Sequence, residues 1–435
     1  MSYTQDSQMV FVLSCFIAIA IVNNKLDRVI ALRLLKGIGV DPLKISTYLM
    51  VSAYILSIFI PNACACSLMI PIARATLNIL DELGVCKAVE DNELESDDEP
   101  PQPSKVANAF YIGIAFAANI GGMLTYWYSE SGYEFLEEFK NENLTTTELS
   151  VEISIVLLIF TIIYLQVIFL NLWRSKRPRR ISFDNGSIRP TLDVLIQAES
   201  EDGTSSSVIT GALMTVYICV LIVGKFLTHM EVFEITINIK YSTFVMLICL
   251  LAFVCPNNCS YMNYFLCRAP NAYKMSSSIL PWSIIPKMMP WNYFLVYGSS
   301  LAFGVALEKS YLHIYLVEHL AATNNTTLKL MGFMAVSILL SLLGANHLVS
   351  RLLMIYGVNW ASMTSSDPTY FALSLGFTSS LAFMLPISSV SNCFAAGWGN
   401  LRSKDIMIAG IGPTVFGYFL VFGVIELDKY LADIF

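Results

Sequence analysis

The stretch YLMVSAYILSIFIPNACACSLMIPI, residues 48–72, carries no charge and is interrupted only at Pro61-Asn62. A hydrocarbon core ~30 Å thick is crossed by ~20 apolar helical residues, so the run is long enough to span. Proline donates no N–H and pushes the residue before it out of the helical region, so the helix is broken or kinked at Pro61. A break at membrane depth leaves backbone groups that only neighbouring protein or a water-filled cavity can satisfy, which makes this tip a candidate site. Upstream lies a basic amphipathic stretch with Lys25, Arg28, Arg33, Lys36 and Lys44, read as lying on the inner membrane surface. Downstream lies an acidic run, Glu90, Asp91, Glu93, Glu95, Asp97, Asp98 and Glu99, read as a solvated linker. A straight crossing would put the basic residues outside, against the positive-inside rule. A chain that turns back at Pro61-Asn62 keeps both flanks inside. The re-entrant hairpin is favoured, with a proline-kinked span as the alternative.

Outward from this stretch the chain keeps the same character. Of its 435 residues, 55% are hydrophobic and 14% charged, and mean hydropathy is +0.61, whereas soluble domains run near ~25% charged. That excludes an ordinary cytosolic enzyme and implies one polytopic membrane unit partnered by the lipid bilayer. The net charge of −7 gives no basis for nucleic-acid binding. No paired acid/base residues or nucleophilic constellation points to catalysis. The ten cysteines lie mostly in or beside apolar runs, where a free thiol behaves as a small hydrophobe. Cys255, Cys259 and Cys267 have neither zinc-site spacing nor a histidine nearby, so no metal or organic cofactor is expected. Further apolar runs cover Met9–Val22, Val106–Tyr128, Val151–Trp173, Val208–Leu227, Tyr241–Cys255, Tyr293–Leu307, Tyr370–Pro386 and Ile406–Ile425.

Arg174, Lys176, Arg177, Arg179 and Arg180 follow Val151–Trp173 directly and place that loop inside. Residues 129–150 then fall outside, as do residues 308–328. The sequons at Asn143, Asn324 and Asn325 in these loops are expected glycosylation sites. A second break, Gly344-Ala345-Asn346-His347, separates apolar arms Leu330–Leu343 and Leu348–Trp360, with both flanks outside. Two half-membrane hairpins entering from opposite faces imply an inverted-topology repeat, with a binding site near the bilayer midplane.

Four elements then carry a resemblance. Ser379-Ser380-Leu381-Ala382-Phe383-Met384-Leu385-Pro386 runs on to Asn392. Lys287-Met288-Met289-Pro290-Trp291-Asn292 leads to Gly298. Pro61-Asn62-Ala63 is followed by Met69-Ile70-Pro71-Ile72-Ala73. Ile120-Gly121-Gly122 precedes Thr125. In order and spacing these resemble the divalent anion:sodium symporter family, the sodium/dicarboxylate, citrate and sulfate carriers of solute carrier family 13. The resemblance implies an all-α polytopic membrane protein: an inverted-repeat secondary transporter with two re-entrant hairpins and two broken helices, homodimeric, at the plasma membrane. It also implies that the family's first two or so transmembrane helices are missing here.

In the layout this implies, a scaffold helix and interfacial stretch occupy 1–45, the first hairpin 46–80, the acidic cytoplasmic linker 81–105, and a broken helix with its external loop 106–150. Scaffold helices with a basic loop occupy 151–328, the second hairpin 329–361, the second broken helix 362–405, and the last helix 406–435. In the family two Ser-Asn-Thr tips and two unwound loops enclose sodium ions and substrate carboxylates. Carried over, the first tip keeps Asn62 but has Pro61 and Ala63 in place of its hydroxyl residues. The loop aligned with Tyr128–Gly132 has lost its asparagine. The second tip keeps Asn346 beside His347, with Arg351 one turn on, and the second loop keeps Ser389, Ser391 and Asn392. The site residues implied are Asn62, Ala63, Gly122, Thr125, Asn346, His347, Arg351, Ser389, Ser391 and Asn392. The expected function is secondary transport of a small organic dianion, a di- or tricarboxylate such as succinate or citrate, with sodium as coupling ion. The alternative is a transport-inactive or sodium-independent relative acting as an interaction or regulatory membrane protein, with Arg351 supplying the charge that sodium would bring.

Overall fold

The computed structural model describes residues 5–90, 102–124, 143–175, 185–227, 231–232, 235–236, 240–257, 277–311, 315, 326–363 and 368–432, with only the backbone described at some helical positions, Asn143 and Arg351 among them. Apart from a two-residue antiparallel pair, Glu231–Val232 with Ile235–Thr236, the regular elements described are helical. In chain order they are α1 (Asp6–Asn23), α2 (Leu26–Ile38), α3 (Pro42–Phe59), α4 (Asn62–Glu82), α5 (Lys105–Leu124), α6 (Asn143–Ser175), α7 (Asn185–Leu227), α8 (Tyr241–Val254), a single turn α9 (Ile285–Met288), α10 (Trp291–Ser310), α11 (Thr326–Leu343), α12 (Asn346–Met363), α13 (Pro368–Ser380), α14 (Val390–Gly399) and α15 (Ser403–Ala432).

Seven of these are long and apolar enough to cross a membrane among the described residues: α1, α3, α4, α5 and parts of α6, α7 and α15. They differ in what surrounds them. Nearly all of α4 and α5 is buried in protein, whereas α6 leaves Ile155, Ile159 and Ile163 exposed and α15 leaves Ile408, Ile411, Val415 and Phe419 exposed. Apolar rows at helical spacing that face outward need lipid rather than water against them. The protein is a multi-pass membrane protein.

The break at Pro61 is real, and the chain doubles back there. Asp41 caps α3, its carboxylate accepting from the Leu43 N–H at 3.2 Å with Pro42 in the first turn. α3 ends in extended Ile60, and Pro61 is the N-cap of α4. Along α5, Met50 of α3 lies against Gly113 and Ser57 against Gly121. On the return, Asn62 lies against Gly122 and Arg74 is within electrostatic reach of Tyr111. α3 therefore runs with α5 and α4 against it. The outer ends of both arms lie beside α2: Pro42 follows it closely in sequence, and Arg28 of α2 pairs with Glu82 of α4 at 3.1 Å. With 18 and 21 residues the arms are ~27 and ~32 Å long at ~1.5 Å per residue. Each is longer than the half-membrane arm expected from the sequence.

α2 also departs from expectation. Its apolar face, Leu26, Ala31, Leu32 and Leu35, is buried against α4 and α7, so protein rather than lipid covers it. Burial raises the Asp27 carboxyl to about 6, against the opposing pull of Arg74 and Arg28. Lys36 reaches Asp193 of α7 at 2.7 Å.

The second break has the same form. α11 runs alongside α13, with Phe333 against Phe371 (ring centroids 6.1 Å apart) and Ser337 donating to the Leu375 carbonyl at 3.3 Å. α12 returns past the same residue, Gly357 lying against Leu375.

α13 stops at Ser380, and an irregular segment with a 3₁₀ turn at Pro386–Ser388 leads into α14. The carbonyls freed by this break are caught by side chains, as a buried break requires. Thr414 donates to Leu381 at 3.1 Å. The Ser388 hydroxyl lies 2.8 Å from the Ala382 carbonyl and 2.6 Å from that of Leu385. The Cys393 thiol donates to Pro386 at 3.0 Å.

Candidate functional site

Two helices begin at one place. α4 starts at Asn62 and α14 at Val390, and the Ser391 hydroxyl in the first turn of α14 faces the Cys66 thiol of α4. The unsatisfied N–H groups of both first turns, with the positive ends of both helix dipoles, are thus directed to a common region.

The floor under the first tip is Gly121-Gly122 of α5. A Cβ on Gly122 would overlap the Asn62 carboxamide, and one on Gly121 would overlap the Tyr54 carbonyl. Only residues without a side chain let the tip sit this deep. From there a chain of polar side chains crosses to the broken helix. The Ser57 hydroxyl lies 2.7 Å from Asn62 Oδ1 and 2.6 Å from the Ala118 carbonyl. Asn62 Nδ2 faces Asn119 Oδ1 at 3.5 Å. Asn119 Nδ2 donates to Ser389 Oγ at 3.0 Å and to Asn392 Oδ1 at 3.2 Å. Asn392 Nδ2 donates to the carbonyls of Ala382 at 3.0 Å and Leu385 at 3.1 Å. Ser389 caps α14, its hydroxyl oxygen accepting from the Asn392 N–H at 3.2 Å.

Ser57, Asn119, Ser389 and Asn392 are buried, whereas Asn62 and Gly122 are only partly so. The network therefore opens at the tip. Among the described residues no carboxylate hydrogen-bonds into it. A buried, uncharged cluster of hydroxyls and carboxamides at two helix starts can receive a carboxylate or coordinate a hard cation through its oxygens.

Of the residues expected from the sequence, Asn62, Ala63, Gly122, Ser389 and Asn392 come together here. Ser391 turns away from the cluster, and its hydroxyl has no nitrogen or oxygen partner among the described residues. Asn346 and His347 stand apart. Asn346 Oδ1 accepts from the His347 N–H at 2.9 Å, and the His347 ring reaches Ser7 Oγ of α1 at 3.0 Å. Among the described residues no hydrogen bond joins either to the Asn119 network. Thr125, Asn324 and Asn325 lie outside the described residues, as do the side chains of Arg351 and Asn143.

Asn119 and Ser57 are not among the residues expected from the sequence. The signal for Asn119 was available: it is a carboxamide in the middle of a largely apolar run, directly before the Ile120-Gly121-Gly122 motif, and polar groups at membrane depth mark sites.

A multi-pass helical protein with two helix starts and a polar cluster buried at a backbone break is built as a membrane carrier. The model of the sodium:sulfate symporter transmembrane region matches residues 1–431, and the chain belongs to that family, the divalent anion:sodium symporters. It is 26% identical to the Drosophila melanogaster "Protein I'm not dead yet", over 95% of this chain and 74% of the relative. It is 22% identical to the Mus musculus Na(+)/citrate cotransporter, over 97% of this chain and 81% of that one. Identity is also 22% to the Caenorhabditis elegans sodium-dependent low-affinity dicarboxylate transporter 1, over 95% and 76% of the respective chains.

Proposed function

We propose that this transporter carries a small organic dianion, a di- or tricarboxylate such as succinate or citrate, across the plasma membrane. The observation that carries the reading is the convergence of the α4 and α14 starts on a cluster around Asn62, Asn119, Ser389 and Asn392 into which no carboxylate hydrogen-bonds among the described residues. The positive ends of two helix dipoles and the hydroxyls there favour negative charge. The printed names of two relatives, a citrate and a dicarboxylate carrier, point the same way.

In this reading both doubled-back helix pairs are re-entrant and related as inverted repeats, so that α3, α4 and α5 correspond to α11, α12 and α13–α14. The position of both outer ends of α3–α4 beside α2 supports this for the first pair. The hairpins and the broken helix form a moving unit that slides against a scaffold in a homodimer. Sodium is the coupling ion, bound through hydroxyl, carboxamide and backbone oxygens, since the family is sodium-coupled.

Radiolabelled succinate and citrate uptake by cells expressing the full chain, with surface delivery checked, tests this. Saturable uptake that falls when external sodium is replaced is expected. No uptake of either anion despite surface delivery overturns the carrier reading, and uptake indifferent to sodium overturns the coupling.

A further inference from the structure

Hydrogen-bond direction within the cluster is determined, and it starts from the broken helix. The carbonyls of Ala382 and Leu385 can only accept. The Asn392 group facing them, at 3.0 and 3.1 Å, is therefore its NH₂, which leaves Oδ1 for Asn119. What Asn119 presents to that oxygen at 3.2 Å must be its own NH₂. Asn119 Oδ1 then faces Asn62, whose NH₂ meets it, and Asn62 Oδ1 faces the Ser57 hydroxyl. The orientations of Asn392 and Asn119 follow from the two carbonyls, and Asn62 meets Asn119 at 3.5 Å, the long end of a hydrogen bond.

The sense of this chain decides what the site offers a ligand. Ser389 Oγ accepts from both the Asn119 NH₂ and the Asn392 backbone N–H, so its one proton is left to donate away from them. Asn62 spends one amide hydrogen on Asn119 and keeps a second. With Asn119 as it stands, the groups left over are donors, as a carboxylate needs.

We infer that Asn119 is a positioning residue that transmits this polarity from the broken helix to the first tip, and so sets the site for an anion. The inference rests on the anion-carrier reading. Asn119→Asp tests it at nearly constant shape. Aspartate cannot donate, so Ser389 must turn its proton inward to it. The Asn392 oxygen loses its donor, and a negative charge enters the site. Asn119→Ser is neutral and can still donate one proton. A purely structural role predicts that the two variants follow their melting temperatures. A polarity role predicts that the Asn119→Asp variant is the worse for anions even where the two melt alike.

Two readouts are needed on the full chain: the KM and maximal rate of succinate uptake, and the rate at which N-ethylmaleimide modifies Cys64 and Cys66, mapped by peptide mass. Both thiols are buried just past the tip, and their modification reports its position without transport. In the Asp variant, KM is expected to rise about tenfold or more, as the loss of one to two charge-assisted hydrogen bonds implies, with maximal rate nearly kept. Modification of Cys64 and Cys66 should quicken and no longer be slowed by succinate. The Ser variant should fall between the Asp variant and the parent. Unchanged KM and thiol reactivity in the Asp variant overturn the inference, as does equal loss in both variants at equal melting temperature. If the Asp variant does not fold, the Ser variant carries the test: parental thiol reactivity there overturns the inference. If the parent takes up no anion, the carrier reading fails, while thiol reactivity still decides whether Asn119 holds the tip.

Discussion

The two helix-break tips begin alike and end differently. Each places an asparagine at the start of a returning helix: Asn62 on α4 and Asn346 on α12. Asn62 reaches sideways, through Asn119, to another broken helix. Asn346 folds its oxygen back onto the next N–H of its own helix, a local turn-type bond, and leaves outward contact to His347, which binds α1. The same residue type at the same kind of position serves a site in one tip and its own backbone in the other. What differs is the floor. Gly121-Gly122 lets the first tip come down onto buried polar groups. The second tip meets side chains, with Val349 and Phe303 packed around Gly344 and Leu348 against Gly304.

The contrast can be broken most forcefully at Asn392. Asn392→Ala strips the Ala382 and Leu385 carbonyls of a donor and leaves the Asn119 N–H with one acceptor fewer. At ~1–3 kcal/mol per buried unsatisfied group, the protein should lose roughly 3 kcal/mol and uptake should fall at least about thirtyfold. Near-parental uptake at normal surface level would remove the first tip region from the site. A smaller effect is expected at Gly122→Val, which lifts Asn62 without deleting any polar group. An increase in KM of about tenfold, with thermal stability lowered by ~1–3 kcal/mol as for overpacking, is the expected outcome in an uptake and melting series. The smallest belongs to Ser7→Ala, which removes one partly buried hydrogen bond worth about 1 kcal/mol and should change uptake by less than about fivefold. If Ser7→Ala costs as much as Asn392→Ala, the two tips act as equals and the asymmetry between them is wrong.

The breaks themselves were legible because proline and glycine act locally. Pro61 followed by Asn62 favours a helix break, although Pro71 is carried inside α4, and the charge on its flanks suggested the turn back. Arm length was less legible. Periodicity does not mark where an apolar helix leaves the bilayer, and Asp41-Pro42 starts α3 before the obvious apolar run. α2 shows the same limit, since an amphipathic stretch looks the same whether lipid or α4 and α7 covers its apolar side. Asn62, Ser389 and Asn392 were accessible through their motifs. Asn119 offered a signal as a carboxamide beside a motif, but its role did not, because that depends on which carboxamide lies opposite, a property of three segments meeting. His347 beside Asn346 gave no hint in sequence that it would turn toward Ser7.

The carboxamide chain has one more property. Asn392 and Asn119 cannot be turned over singly, because reversing either sets like against like at its neighbour. The two amides are therefore held in one common sense, as in cooperative hydrogen-bonded arrays. Its sense is anchored by two carbonyls that exist as free acceptors only while the helix is interrupted between Ser380 and Val390. Rewinding that interruption by even one turn would release the anchor for Asn392 and Asn119. A short irregular segment thus sets the memory of both amides, and exchange or relaxation measurements should find these two side chains moving as one body with a single rate.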